Sequence, residues 1–241
     1  MKTKSLIYSI CLFVLLSFTA CEPWEVVRGS GAVITETRSV GTFNQIDVSS
    51  DIEVYLTQGP GQPLHVEGQD NILNVLETYV RNNKLVIQYQ RGVTVRSHEP
   101  VRIYITTPQL EEIHVSGSAY VEGMTNWTVN DFDLSVSGSG KMEMTLLDAD
   151  EVETDISGSG NIYLQGDCRE HDIEISGSGD VHAFDLISKD ANVHISGSGN
   201  CELTVQSQLE AHISGSGTVR YKGHPTIRTN ISGSGKVINA E

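Results

Sequence analysis

Apolar and polar residues alternate with a period of two through the C-terminal half of this chain, and the alternation restarts at each copy of the string S-G-S-G. Six copies begin at Ser137, Ser157, Ser176, Ser196, Ser214 and Ser232, and a degenerate copy, S-G-S-A, begins at Ser116. Successive starts lie 21, 20, 19, 20, 18 and 18 residues apart. With the first Ser as position 0, position −1 is Val136, Ile156, Ile175, Ile195, Ile213 and Ile231, and position +5 is Met142, Ile162, Val181, Cys201, Val219 and Val237. Positions −3 and −5 are mostly apolar too, and the even positions are mostly polar. One dry face of period two marks a half-buried strand, and a repeat near twenty residues marks a stacked solenoid. The pattern predicts an all-β fold, a right-handed parallel β-helix of 18- to 21-residue coils, each strand paired with its copies above and below at ~4.8 Å.

The same phase places both glycines of each corner on the inward side, where there is no room for a Cβ and the backbone needs φ above zero. The serines between them point outward. Because the small-residue corner recurs in phase, the drift in period falls on the other turns. Cys201, at +5, is an interior position, whereas Cys168 lies in a G-D-C-R stretch read as a turn two coils away. That separation exceeds the ~7 Å Cα limit for a disulfide, so two free thiols are expected.

Chemistry, if the chain carries any, belongs to the outward rows. Position −4 is Asp133, Glu153, Asp172, Asn192, Glu210 and Arg228, and position −2 is Ser135, Asp155, Glu174, His194, His212 and Asn230. Stacking crowds Glu153, Asp155, Asp172 and Glu174 onto one patch with Asp133 at its edge. Such a patch is either a solvated acidic face with raised pKa values or a seat for a hard cation such as Ca²⁺, which favours several carboxylate oxygens. His194 and His212 stand next to each other beside Glu174, a set that includes the donors zinc takes. His171, inward at −5, reads as a core residue with a polar bond to satisfy. The Ser-Gly corners are not nucleophiles: no G-x-S-x-G elbow is present, and an active serine occurs once with a positioned base, not in interchangeable copies. Position +4 (Lys141, Asn161, Asp180, Asn200, Thr218, Lys236) is no carboxylate ladder of the calcium-binding nonapeptide kind.

The first 20 residues read as a signal peptide, with basic Lys2 and Lys4 followed by an apolar run from Leu6 to Phe18 that is too short to span a bilayer. Thr19 and Ala20 before Cys21 resemble a lipobox, which makes Cys21 the lipidated N-terminus and membrane anchor of the mature chain, and residues 21–29 its tether. From Cys21 on, 31 acidic residues face 14 Lys and Arg. A formal charge of −17 argues against DNA, RNA or anionic lipid as partners. Residues 30–115 read as a less regular β half, with D-V-S-S-D-I-E-V-Y-L from Asp47 as a degenerate repeat and a single helical turn within Asp70–Glu77. Residues 116–241 are the repeat solenoid.

The opening G-S-G, R-x-V-x-x-F-x-x-I-D-V from Arg38 to Val48, Q-D-N-I-L from Gln69, P-x-L-x-x-I-x-V-S-G-S and the repeated I-S-G-S-G resemble the auto-transporter adhesin head (GIN) domain family. The resemblance covers nearly all of the mature chain. It implies a secreted or lipid-anchored bacterial β-helix and supplies no catalytic residues. Together these readings lead to a non-enzymatic, lipid-anchored cell-envelope solenoid whose acidic face binds a glycan or protein ligand, without a required cofactor. The alternatives are a periplasmic structural or assembly lipoprotein and a carbohydrate-active β-helix enzyme, for which Glu153 and Asp172 are the nearest carboxylate pair.

Overall fold

The computed structural model describes residues 25–241; the stretch read as a signal peptide and the expected lipidation site Cys21 lie outside the described residues. The chain is nearly all β, with strands β1 (Glu25–Arg28), β2 (Val33–Arg38), β3 (Gln45–Val48), β4 (Glu53–Gln58) and β5 (Leu64–Gln69), helical turn α1 (Asp70–Leu73), then β6 (Leu76–Arg81), β7 (Lys84–Tyr89), β8 (Val93–Arg96) and β9 (Arg102–Thr107). β10 (Glu112–Gly117), β11 (Tyr120–Thr128) and β12 (Asp131–Gly138) lead into the long strands β13 (Lys141–Gly158), β14 (Asn161–Gly177), β15 (Asp180–Gly197) and β16 (Asn200–Gly215). β17 (Thr218–Lys222), β18 (Thr226–Gly233) and β19 (Lys236–Asn239) complete it.

Parallel pairing stacks the coils in the register expected. Ser137 pairs with Ser157, Ser157 with Ser176, Ser176 with Ser196, Ser196 with Ser214 and Ser214 with Ser232. Each long strand carries one coil's wall from one corner to the next. Within β13 the buried positions step by three instead of two from Leu146 to Ala149 and again from Ala149 to Val152, where the chain bends. The register shifts fall in this variable region, between Leu146 and Ala149 and between Ala183 and Ile187. The corner itself never slips. Period drift is absorbed away from it, as the phase required.

The two corner glycines serve different needs. Gly158 has φ +130°, and a Cβ there would lie 2.5 Å from the carbonyl oxygen of Gly138 in the coil below. Gly217 has ordinary backbone angles, but its Cβ would meet Ile195 Cγ2 and the Gly199 carbonyl oxygen, each at 2.6 Å. The first glycine allows a left-handed bend, and the second leaves a slot for the isoleucine at −1 of the preceding coil. Between them the serine amide donates to the glycine carbonyl one coil back, at 2.7 Å for Ser159 to Gly138 and 2.8 Å for Ser198 to Gly177.

Inside, ladders of Ile, Val, Leu and Met form one continuous core. His171 is buried in it, and its Nε2 lies 3.0 Å from Thr154 Oγ1. Desolvation pushes the imidazole down to about 3, so it is neutral. Cys201 is buried and free, as expected. Cys168 departs from expectation: it is a buried strand residue of β14, in register with Ala149 and Ser188, not a turn thiol. The bend comes two residues earlier, at Gly166 with φ +113°, and the chain has re-entered the wall by Cys168.

The N-terminal half is more than an irregular version of the repeat. β3 lies between β10 and β7, and β4 between β11 and β9, all parallel. The first coil in sequence is therefore not the outermost coil of the stack. Residues that follow it fold back to form that outer coil, which is closed by antiparallel strands: β6 on β7, β5 on β9 and β2 on β5. α1, within the Asp70–Glu77 stretch, forms part of this cap. Arg38 donates to the carbonyls of Leu73 and Leu76 at 2.8 Å each, holding the end of α1 against β2.

Candidate binding face

Register turns the even positions before each corner into three outward columns. The −4 column runs Glu112, Asp133, Glu153, Asp172, Asn192, Glu210, Arg228. The −2 column runs His114, Ser135, Asp155, Glu174, His194, His212, Asn230. A third column at −6, Asp131, Glu151, Glu170 and Asp190, continues the acidic field, and extending the sequence alignment by two positions would have revealed it.

Cross-strand neighbours of like charge repel, and the carboxylates record it. Asp133 is raised by burial and then by Glu112; Glu153 is raised first by Asp133 and then by burial. Burial and the neighbouring Asp172 and Glu170 raise Glu151, and burial and Glu174 raise Asp155. Relief is local. Arg169 pairs with Asp150 and, at 2.9 Å, with Glu170. Asn192 donates to Asp172 at 2.7 Å and Glu170 at 3.4 Å.

Glu153, Asp155, Asp172, Glu174, His194 and His212 together line one open groove on this face. The rings of His194 and His212 are stacked, with centroids 4.6 Å apart and 10° between planes, and Nε2 of His212 lies 2.9 Å from Glu210. Stacked rings present faces, not converging nitrogens, to each other. Among the described residues no three His, Cys, Asp or Glu side chains are gathered as metal ligands. The groove is a broad polar strip and not a chelating nest.

Another feature not singled out from sequence lies past the corner, where Tyr104, Tyr55, Glu122, Glu143, Tyr163 and His182 form one column. Tyr55 stacks on Tyr104 at 5.2 Å and Tyr163 on His182 at 4.4 Å. Lys141 lies 4.7 Å over the Tyr163 ring, and Tyr120 donates to Glu122 and Glu143 at 3.0 and 3.1 Å. These rings pack on one another along the stack axis, so the column ties coils together.

The family model described as "Putative auto-transporter adhesin, head GIN domain" matches residues 42–225, and the chain belongs to that family. No curated protein matches the chain. Among solved structures, a "putative adhesin" of Bacteroides fragilis is 25% identical with a TM-score of 0.80, covering 88% of this chain and 99% of its own. A "putative adhesin" of Parabacteroides distasonis is 27% identical with a TM-score of 0.74, covering 90% and 100%. A "putative lipid binding protein" of the same species, 23% identical with a TM-score of 0.76 and the same coverage, shares the fold. The neighbours and the family agree on an adhesin-like β-solenoid.

Proposed function

We propose that this chain is a non-catalytic cell-envelope lipoprotein, anchored through Cys21, that binds a glycan or protein surface through the acidic face before the corners. The observation that carries the reading is the set of in-register carboxylate columns from Asp131 to Glu174, four of whose members are raised by burial and by their carboxylate neighbours. Local repulsion of this kind costs stability and is a mark of surfaces kept for interaction. Family membership and the adhesin-named neighbours support the same class.

The non-catalytic reading rests on geometry as well. Glu153 and Asp172 are adjacent rungs of one column, held side by side by strand pairing. A glycosidase pair instead flanks a scissile bond from opposite sides. Purified protein screened against arrays of polysaccharides and envelope proteins should give ligands that are lost in Glu151→Gln/Glu153→Gln/Asp172→Asn. Unchanged binding in that variant sinks the face assignment, and polysaccharide turnover abolished by Asp172→Asn sinks the non-catalytic one. Cys21→Ser should move the protein from the membrane to the soluble fraction, and protease treatment of intact cells should digest it if it is surface-exposed.

A further inference from the structure

At the end of the stack that carries α1, three strands are paired on one side only: β6 on β7, β1 on β8 and β2 on β5. Asn71 of α1 fixes β1 there. Its Nδ2 donates to the Arg28 carbonyl at 2.7 Å, and its Oδ1 accepts from the Ser30 amide at 3.0 Å. Val27 and Val95 of the β1–β8 pair pack inward on the core. The same strands leave apolar side chains in the open: Val26 is 50% exposed, Val33 43%, Tyr79 39% and Ile34 38%. Arg28, Arg81 and Arg96 are exposed on β1, β6 and β8 and make no ion pair among the described residues.

Chain length says what meets this end. Cys21 stands four residues before Glu25, so an acyl chain carried on Cys21 starts within ~14 Å of β1. An anchor that short presents the bilayer to the α1 end at a local concentration that no freely diffusing partner matches. Trp24, in the same short stretch, and Tyr79 are of the residue types that gather at membrane–water interfaces.

Charge sets the orientation. Residues 25–107 carry nine carboxylates against seven Lys and Arg, whereas residues 108–217 carry twenty against three. Counting rungs from Arg81 through Lys84, Gln45, Glu112 and Asp133, Glu153 is the fifth, ~24 Å along the axis. The Debye length at physiological ionic strength is only ~8 Å. A stack lying flat would bring the acidic coils against lipid phosphates. One standing on its α1 end holds them clear.

We propose that the α1 end is a bilayer-contact surface on which the solenoid stands upright. Val26, Val33, Ile34 and Tyr79 sit at the boundary between headgroups and acyl chains, and Arg28, Arg81 and Arg96 meet lipid phosphates. The inference rests on the anchoring through Cys21 and adds to it a surface and an orientation. The acidic columns then face away from the membrane.

The test uses the full chain, expressed in bacteria, extracted from membranes and reconstituted into phosphatidylethanolamine–phosphatidylglycerol vesicles with and without nitroxide-headgroup lipid. A fluorophore is placed on Thr35→Cys in β2 or on Asn230→Cys in β18; the native Cys168 and Cys201 are buried and do not compete. The Thr35→Cys label should be quenched at least twofold, and the Asn230→Cys label should not. Val33→Ser/Ile34→Ser/Tyr79→Ser and Arg28→Glu/Arg96→Glu should each lose most of that quenching while the protein stays in the membrane fraction with its Tm unchanged. Glu151→Gln/Glu153→Gln should leave the quenching as it is. The proposal is overturned by an unquenched Thr35→Cys label, by equal quenching of both labels, which means a stack lying flat, or by end variants that change nothing. It is also overturned by a dimer in detergent that Val33→Asp dissolves, which would make a second copy the occupant. The mass of the N-terminal peptide keeps the two readings apart. An unmodified Cys21 sinks anchor and orientation together, whereas a lipidated Cys21 with an unquenched Thr35→Cys label sinks the orientation alone.

Discussion

Every coil contributes one rung to the glycine corner and one to the acidic face, yet the two columns obey opposite rules. At the corner the same string, S-G-S-G, returns six times, with Ala119 replacing the last glycine only in the first, degenerate copy, because steric contact with the coil below leaves almost no room. On the acidic face the residue changes at almost every rung, from Asp133 through Asn192 to Arg228, and the carboxylates that share it repel. Repetition marks what the fold requires, and unrelieved repulsion marks what it merely tolerates. A residue that weakens the structure and remains on its surface is a better functional candidate than one repeated six times.

The strongest way to break this contrast is at the corner. Gly158→Val combines a left-handed backbone with a clash against the Gly138 carbonyl, and should cost on the order of 3–5 kcal/mol, read as loss of cooperative thermal unfolding near the wild-type Tm. A variant of near wild-type stability would show that the corner can open. Less severe is the buried polar pair. Thr154→Val leaves His171 without its hydrogen-bond partner and should cost about 1–3 kcal/mol in denaturant titration, while Thr154→Val/His171→Leu should recover most of it.

His171 also sets a pH effect opposite in sign to that of the face. Its folded pKa of about 3 lies below the ordinary 6.5, so as pH falls below 6.5 the unfolded chain binds a proton that the fold refuses. Stability should fall by about 1.4 kcal/mol per pH unit from this group alone, and His171→Leu should abolish that slope. The raised carboxylates act the other way. Their repulsion is fully present at pH 7 and fades as pH drops through their folded pKa values. In the His171→Leu background, stability should therefore rise as pH falls from 7 toward the carboxylate range at low salt, and rise less in 1 M salt, where screening removes the repulsion but not the cost of burial. Glu153→Gln should stabilise the wild type at pH 7 by roughly 0.5 kcal/mol after allowance for solvent screening. Smallest of all, Ser176→Ala at the outward corner serine should stay within about 0.5 kcal/mol.

Much of this was legible in the chain because the corner gives a phase to count from. Counting backward from Ser176 placed Ile175, Ile173 and His171 inward and Asp172 and Glu174 outward, and each lies there. Counting fails where the coil bends. Cys168 is an odd number of residues past Ser157, which is the inward parity, but the Gly-Asp before it looked like a turn and outweighed the phase. In the aromatic column past the corner, Glu122, Glu143, Tyr163 and His182 all fall at +6 and were missed because the count stopped at +5. Only the continuation to Tyr55 and Tyr104 needs β4 to be known to lie between β11 and β9, which alternation cannot reveal. For the same reason the order of the first coils was illegible: a period of two says which face a residue takes, never which strand lies beside it.

That order has a consequence for how the molecule is made. From β12 onward each new wall meets a neighbour finished about twenty residues earlier, so the stack can grow like a zipper, from local contacts that close fast. The coil of β3 and β4 emerges first and yet has to wait for both of its neighbours, one of them completed only at β9 and the other at β11. Until then its apolar side has no cover. The slow step of folding is assigned by this topology to the beginning of the chain, and a nascent polypeptide shorter than about 128 residues is still an open seam.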